Sequence, residues 1–332
     1  MAGHDIVVIG TSSGGVETLM KLCRELPEDL PAAVFVVMHF PEGVASVLPS
    51  ILNRSGPLKA VHPEDGDPIE SGRIYVAPPD FHLLVEGGRV RLTRGPRENL
   101  HRPAVDPLFR TAAVAYRPRV VGVILTGARD DGTAGLLAIK RRGGVAIVQD
   151  PDDALFSGMP ESALEYVNVD HCLSLDKIAS LLARVTREEA KEEGVYPVPD
   201  EMELESKIVG LDPTVIDGDQ RPGELSGFTC PECTGPLYEI HDGALVRYRC
   251  RVGHAYTSDS VLAEKSEALE NALYVALNTL EESASMAEGL AARSRETGHE
   301  YVARRFEEQA QSKRQQAVVI RQVLTEGAAD AV

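Results

Sequence analysis

The stretch Ile6-Val-Val-Ile-Gly10-Thr-Ser-Ser-Gly-Gly15 decides the fold. Its apolar, β-branched start reads as a buried strand ending at Gly10, and two serines follow in a turn of small residues. Val16, Leu19, Met20, Leu22, Cys23 and Leu26 then recur at helical spacing, the mark of an amphipathic helix. Strand, small-residue turn and helix together present backbone N–H groups and a side chain at a helix N-terminus. An anion, a phosphate or a nucleophilic serine suits such a place.

Outward from this turn, residues 1–187 repeat the same alternation. Strands are expected at 5–9, 33–38, 58–62, 73–77, 82–86, 89–93, 120–126 and 144–149. Helices are expected at 15–26, 44–54, 106–116, 132–142, 159–167 and 174–187. Alternating strands and helices imply an α/β fold with a doubly wound, mainly parallel sheet. Glu86-Gly87-Gly88-Arg89 reads as a hairpin turn, so an antiparallel excursion is expected within 73–93.

At 332 residues the chain has room for one sizeable domain and a smaller one. No apolar run reaches the roughly 18 residues of a membrane span, and no basic leader precedes the first strand. Cytoplasmic residence without membrane insertion is the expectation. The net charge of −17 is uneven, with −3 in 1–187, −9 in 188–226 and −5 in 227–332. Nucleic-acid binding needs a basic surface and is disfavoured. Of the five cysteines, Cys23 lies on the apolar stripe of the first helix, whereas Cys230, Cys233 and Cys250 cluster near a histidine. That clustering points to metal rather than disulfides.

Ligands of doubly wound sheets bind beyond the carboxyl ends of the strands. Ser12 and Ser13 follow the first strand, His39 follows Val34-Phe-Val-Val-Met38, and Thr126-Gly-Ala-Arg-Asp-Asp131 follows Val120-Val-Gly-Val-Ile-Leu125. Serine, histidine and aspartate at three strand ends are what a Ser-His-Asp triad needs. Taken singly, each also reads as a turn former, a surface histidine and an Asp-Gly turn.

Residues 5–187 resemble the catalytic domain of the chemotaxis protein-glutamate methylesterase family. The matching stretches are Ile9-Gly-Thr-Ser-Ser-Gly-Gly15, Met38-His-Phe-Pro-Glu-Gly43, Glu64-Asp-Gly66, Ile74-Tyr-Val-Ala-Pro78, His101-Arg-Pro-Ala-Val-Asp106, Ile124-Leu-Thr-Gly-Ala-Arg-Asp-Asp-Gly132 and Ser157-Gly-Met-Pro160. The resemblance implies hydrolysis of glutamyl methyl esters on the cytoplasmic helices of chemoreceptors, with receptor glutamine deamidation as a second activity. It implies Ser12 as nucleophile, His39 as base and Asp131 as the orienting carboxylate, with no cofactor for catalysis. Ser13 takes the family's adjacent hydroxyl position. Ala128 matches a position whose N–H is linked to oxyanion stabilisation. Arg129 and Asp130 stand where the family more often has Gly-Asn. Arg102 is a candidate for substrate positioning beside His101 and Asp106. Full-length members usually begin with a receiver domain; this sequence starts at the catalytic strand, so control is expected to be absent, supplied in trans, or carried by residues 188–332.

Residues 188–226 are charged and proline-interrupted, which predicts an acidic, solvated linker. Next, Cys230-x₂-Cys233-x₁₆-Cys250-x₃-His254 has the spacing of a tetrahedral structural zinc, and residues 227–257 read as a zinc ribbon. Arg247, Arg249 and Arg251 are its local basic cluster. Leu262, Leu269, Leu273, Leu280 and Leu290, with alanines between, predict one helix; Tyr301, Val302, Phe306, Ala310, Ile320 and Leu324 predict a second, giving a helical hairpin over 258–328. Candidate partners for these helices are a chemosensory regulatory protein or a second copy. Two other functions stay open on the residues alone: a serine hydrolase acting on a different ester or amide, and a nonenzymatic phosphate- or nucleotide-binding module. The turn lacks both common phosphate-loop patterns, which weakens the last.

Overall fold

In the computed structural model, which describes residues 3–40, 43–190, 198–216, 218 and 220–327, β1 (Ile6–Thr11) is buried along its whole length. It is followed by α1 (Gly15–Glu25), β2 (Ala33–Met38), α2 (Leu48–Ser55), β3 (Lys59–Val61), β4 (Arg73–Val76), β5 (His82–Glu86) and β6 (Arg89–Thr93). Then come α3 (Val105–Tyr116), β7 (Val120–Ile124), α4 (Thr133–Arg141), β8 (Val145–Gln149), α5 (Gly158–Tyr166), β9 (His171–Leu173) and α6 (Leu175–Val185). Seven strands form one sheet in the order β3-β4-β2-β1-β7-β8-β9, and every pairing in it is parallel.

Successive side chains of β1 serve opposite faces. Ile6 and Val8 pack with Leu108 and Phe109 of α3 and with Leu136 and Ile139 of α4. Val7 and Ile9 pack with Leu19 and Leu22 of α1, Leu52 of α2 and Leu182 of α6. A sheet covered on both sides needs continuous apolar strands, which is why these runs show no polar alternation. The strand order reverses where β1 lies between β2 and β7, so the turn after β1 opens at a switch point.

The antiparallel excursion is confined to the β5–β6 hairpin, while residues 73–76 join the parallel sheet as β4. The three-residue β9 has no counterpart among the expected strands.

Beyond α6 follow α7 (Asp200–Val209), α8 (Pro213–Ile216), β10 (Glu224–Thr229), β11 (Pro236–Asp242), β12 (Leu245–Cys250), β13 (Ala255–Thr257), α9 (Ser258–Glu296) and α10 (Glu300–Gly327). The stretch 188–226, expected as a solvated tether, contains a packed helix. Met202, Glu205 and Val209 of α7 are buried, and the Thr93 hydroxyl donates to the Val209 carbonyl at 2.8 Å. Residues 191–197, 217 and 219 of that stretch lie outside the described residues. The reason for the difference is non-local. Glu205 is 1% exposed and accepts from Arg247 at 2.7 and 2.9 Å and from Arg249 at 2.9 Å. Arg249 also reaches Glu98 at 2.9 Å, and Arg110 of α3 donates to Glu98 at 2.7 Å. Two of the three arginines read as a basic cluster are therefore buried in ion pairs.

Contacts divide the chain into two compact units, Met1–Val261 and Leu262–Val332. In the second, α9 and α10 run antiparallel, with Arg314 donating to Glu288 at 2.7 and 2.9 Å. Ala284, Ala287, Ala291, Ala303, Ala310 and Ala317 are buried in this unit, whereas Leu262 and Leu269 are 68% and 61% exposed. The alanines of the expected stripes are thus its most buried positions, with Leu273, Leu277 and Leu280 half-buried beside them. Residue 328 of the expected hairpin lies outside the described residues. Among the described residues no helix is long and apolar enough to cross a membrane.

At Gly10 the sheet and α3 meet closely: a Cβ there would lie 2.3 Å from Val105 Cγ1. Gly10→Ala is expected to destabilise the fold by about 1–3 kcal/mol through overpacking, and Val105→Ala added to it to recover much of that loss. Urea midpoints check both, and an unchanged midpoint for Gly10→Ala would contradict the packing account.

Candidate functional site

Three strand ends converge on one cluster. Ser12 follows β1, His39 follows β2 and Asp131 lies in the loop after β7, and these strands are neighbours in the sheet. His39 Nδ1 faces Ser12 Oγ at 3.1 Å, and its Nε2 faces Asp131 Oδ2 at 2.7 Å. The carboxylate can only accept, so Nε2 carries the imidazole proton and Nδ1 offers its lone pair to the serine hydroxyl. The two ring nitrogens have exchanged roles relative to the usual triad, in which Nε2 faces serine. Either nitrogen can serve, because the ring conjugates them.

Asp131 is 2% exposed, and its other bonds are all donated to it. Val105 N–H reaches Oδ2 at 2.7 Å, Asn99 Nδ2 reaches Oδ1 at 2.8 Å and Asp106 N–H reaches Oδ1 at 3.2 Å. Burial alone would push this carboxyl up, but the hydrogen bond from His39, the charge that ring carries when protonated and the Val105 amide outweigh it and hold Asp131 at about 2. The Asp106 carboxylate shares Asn99 Nδ2 at 2.8 Å and accepts the Gly135 amide at 2.7 Å. Burial, with the charge of Asp131 beside it, raises Asp106 to about 7.

The loop after β7 presses on the Ser12–Ser13 turn. The Ser12 amide donates to the Thr126 carbonyl at 3.0 Å, and Thr126 Oγ1 donates to the Ser13 carbonyl at 3.0 Å. A Cβ on Gly127 would sit 2.1 Å from Met159 Sδ and 3.0 Å from Ser12 Cβ, so only glycine permits this approach. The amides of Ser12 and Gly127 are committed to carbonyls. Ser13 and Ala128 lie exposed beside them.

The CheB methylesterase family matches residues 7–182. The chain belongs to that family. A Leptospira interrogans protein, provisionally named a protein-glutamate methylesterase/protein-glutamine glutaminase, is 40% identical over 183 residues, 55% of this chain and 95% of that protein. A Pyrococcus abyssi protein of the same name is 37% identical over 182 residues, 54% of this chain but 50% of its own length. The chain thus spans about half of some relatives and nearly all of another. The crystal structure of the Thermotoga maritima CheB methylesterase catalytic domain superposes with a TM-score of 0.52 at 37% identity, covering 55% of this chain and 98% of that one.

Neither Asn99 nor the part His101 plays was singled out by sequence. Asn99 holds both carboxylates, and its φ of 49° with Leu100 at 70° marks a left-handed turn that asparagine tolerates well. His101 stacks on His39 with ring centroids 3.6 Å apart. Burial, then the neighbouring His39, lowers His101 to about 3, so it stays neutral near pH 7. Arg102 is not brought to the cluster: its guanidinium donates to Asp80 at 2.7 and 3.0 Å and to the Gly95 carbonyl at 2.8 Å. His62 and His82 bond backbone carbonyls of Val76 and Pro96, both at 2.9 Å.

A second cluster gathers Cys230, Cys233, Cys250 and His254, with ligand atoms all within 4.8 Å of one another. Zinc–sulfur and zinc–nitrogen bonds of about 2.3 and about 2.0–2.1 Å imply tetrahedral edges of about 3.8 and 3.6 Å. Cys233 Sγ lies 3.6 Å from Cys250 Sγ, and His254 Nδ1 lies 3.7 and 3.5 Å from the sulfurs of Cys230 and Cys250. The donor set fits a metal. Glu232 stands 3.5 Å from His254 Nε2 and accepts the Tyr256 hydroxyl at 2.9 Å, the kind of outer support that orients a ligating imidazole.

The two carboxylates should separate in kinetics. Asp131→Asn, which leaves His39 in the wrong tautomer, is expected to lower ester hydrolysis by about 10⁴-fold. Asp106→Asn, replacing a carboxyl that burial and the neighbouring Asp131 charge already push towards its neutral form and that does not touch His39, is expected to cost far less. Comparable losses in steady-state rates would reverse the assignment of the orienting carboxylate.

Proposed function

We propose that this chain hydrolyses glutamyl methyl esters on the cytoplasmic helices of chemoreceptors, with glutamine deamidation by the same steps. The observation that carries the reading is the hydrogen-bonded series Ser12–His39–Asp131 at adjacent strand ends in a chain of the CheB methylesterase family. His39 Nδ1 takes the Ser12 proton as Oγ attacks the ester carbonyl. The amides of Ser13 and Ala128 serve the oxyanion. Collapse breaks the carbon–methoxy bond, and His39 returns the proton to release methanol. A water, deprotonated by the same nitrogen, then attacks the acyl-serine and yields glutamate and free Ser12. General base action supplies about 10²–10⁴-fold, and each oxyanion donor about 10²–10³-fold. Ser12→Ala is expected to reduce methanol release from methylated receptor by at least about 10³-fold, whereas Ser13→Ala leaves most of it. Wild-type turnover in Ser12→Ala would sink the proposal.

The Cys₃His cluster is proposed to hold a structural zinc. Four protein ligands close a tetrahedral shell and leave no position for substrate, so the ion would supply folding energy to the β10–β13 sheet. Emission spectroscopy is expected to find about one zinc per chain, falling towards none in the double variant Cys230→Ser/Cys250→Ser. A full zinc content in that variant would refute the site.

A further inference from the structure

Asp130, immediately before the triad carboxylate, is 5% exposed, and its side-chain partners lie beyond residue 182, where the family match ends. Its Oδ2 accepts the hydroxyl of Thr257, and its Oδ1 accepts the hydroxyl of Ser260 at 3.2 Å. The Thr257 Oγ1 in turn accepts the Ser260 amide at 3.2 Å, so Thr257 is the N-cap of α9 while donating its proton to Asp130. A carboxylate seated on a helix N-terminus meets unsatisfied N–H groups and the positive end of the helix dipole.

The other support of Asp131 is tied to the same region. The Asn99 amide donates to the Ala255 carbonyl at 2.8 Å, and the Ala255 amide donates to the Arg97 carbonyl at 3.3 Å. β13 thereby fixes the segment whose Asn99 side chain holds Asp131 at 2.8 Å. Glu98, between these anchors, is paired with Arg249 of β12 at 2.9 Å. Both the residue preceding the triad carboxylate and the side chain donating to it are pinned by residues 249–260.

We propose that the β13–α9 junction is a positioning element for the esterase site: Thr257 and Ser260, acting through Asp130, and Ala255, acting through Asn99, hold Asp131 where it orients His39. The C-terminal region then controls reactivity through the triad's geometry, without touching substrate. The Asp130 carboxylate offers one oxygen to each of the two hydroxyls at the cap of α9. This inference rests on the methylesterase reading for its kinetic arm only.

The test uses the full chain carrying Thr257→Val and Ser260→Ala, with Ser260→Ala alone as the variant that keeps the helix cap. Methanol release from methylated receptor is expected to fall about 10- to 100-fold in kcat for the pair, the scale of a displacement of about 1 Å. KM should change by less than about twofold. Ser260→Ala should lose less in the same direction, and Thr257→Ser in place of Thr257→Val should bring the pair back to the rate of Ser260→Ala alone. A second readout needs no substrate: the downfield imidazole N–H proton of His39, identified by its loss in His39→Gln, should shift upfield or broaden in the pair at unchanged zinc content. Wild-type kcat together with an unshifted resonance overturns the inference, as does a rise in kcat, which would make the contact inhibitory. Absence of methanol release from the wild type defeats the methylesterase reading instead, while the resonance still decides the positioning role.

Discussion

The burial of the Asp131 charge is the constraint on which the site depends. A carboxylate removed from water is tolerated only when donors replace its hydration. Here four are supplied from three separate segments: His39 after β2, Asn99 in the loop before α3, and the amides of Val105 and Asp106 in the first turn of α3. Those donors can converge only because β2, β1 and β7 lie side by side and α3 packs across β1. The close approach of Gly10 and Gly132 to Val105, where a Cβ would come within 2.3 and 2.8 Å, is the steric counterpart of that electrostatic demand. Sheet order and active-site chemistry are thus one problem.

The same demand explains the fate of the second carboxylate. Asp106 and Asp131 share one asparagine, and two negative charges at this depth oppose each other. The imidazole facing Asp131 tips the balance, so Asp131 keeps its charge and Asp106 moves up. Further out, Arg110, Arg247 and Arg249 are matched by Glu98, Glu205 and Asp242. Buried pairs of this kind add little net stability over apolar packing, but losing one partner strands the other charge. They restrict which surfaces can meet. In this chain they bring α7, the β10–β13 sheet and the Glu98–Asn99 segment together beside the triad.

Much of this was legible in the residues. The period-two strands, the 3.6-residue helices and the Gly-rich turns between them placed most elements of the α/β sheet to within a few positions, and strand ends pointed to Ser12, His39 and Asp131. β9 escaped because three residues carry no periodicity. The helix α7 escaped for a different reason. Asp200-Glu-Met-Glu-Leu-Glu-Ser-Lys-Ile-Val209 has the composition of a solvated segment, and its burial depends on Arg247 and Arg249, some forty residues onward. Asn99 was hidden likewise, since it lies at no strand end, and so was the stacking of His101 on His39.

By itself, the sequence determined the α/β alternation, the strand-end positions of Ser12, His39 and Asp131, and the spacing of the cysteines and His254. These are local properties, written in period, turn chemistry and short motifs. Only the tertiary structure decided which nitrogen of His39 faces Ser12, which carboxylate keeps its charge, which residues of the hairpin stripes are most buried, and how Asp130 is seated on the cap of α9. Each of these turns on groups distant in the chain competing for the same buried donors, acceptors or space, and no local pattern encodes the outcome of that competition.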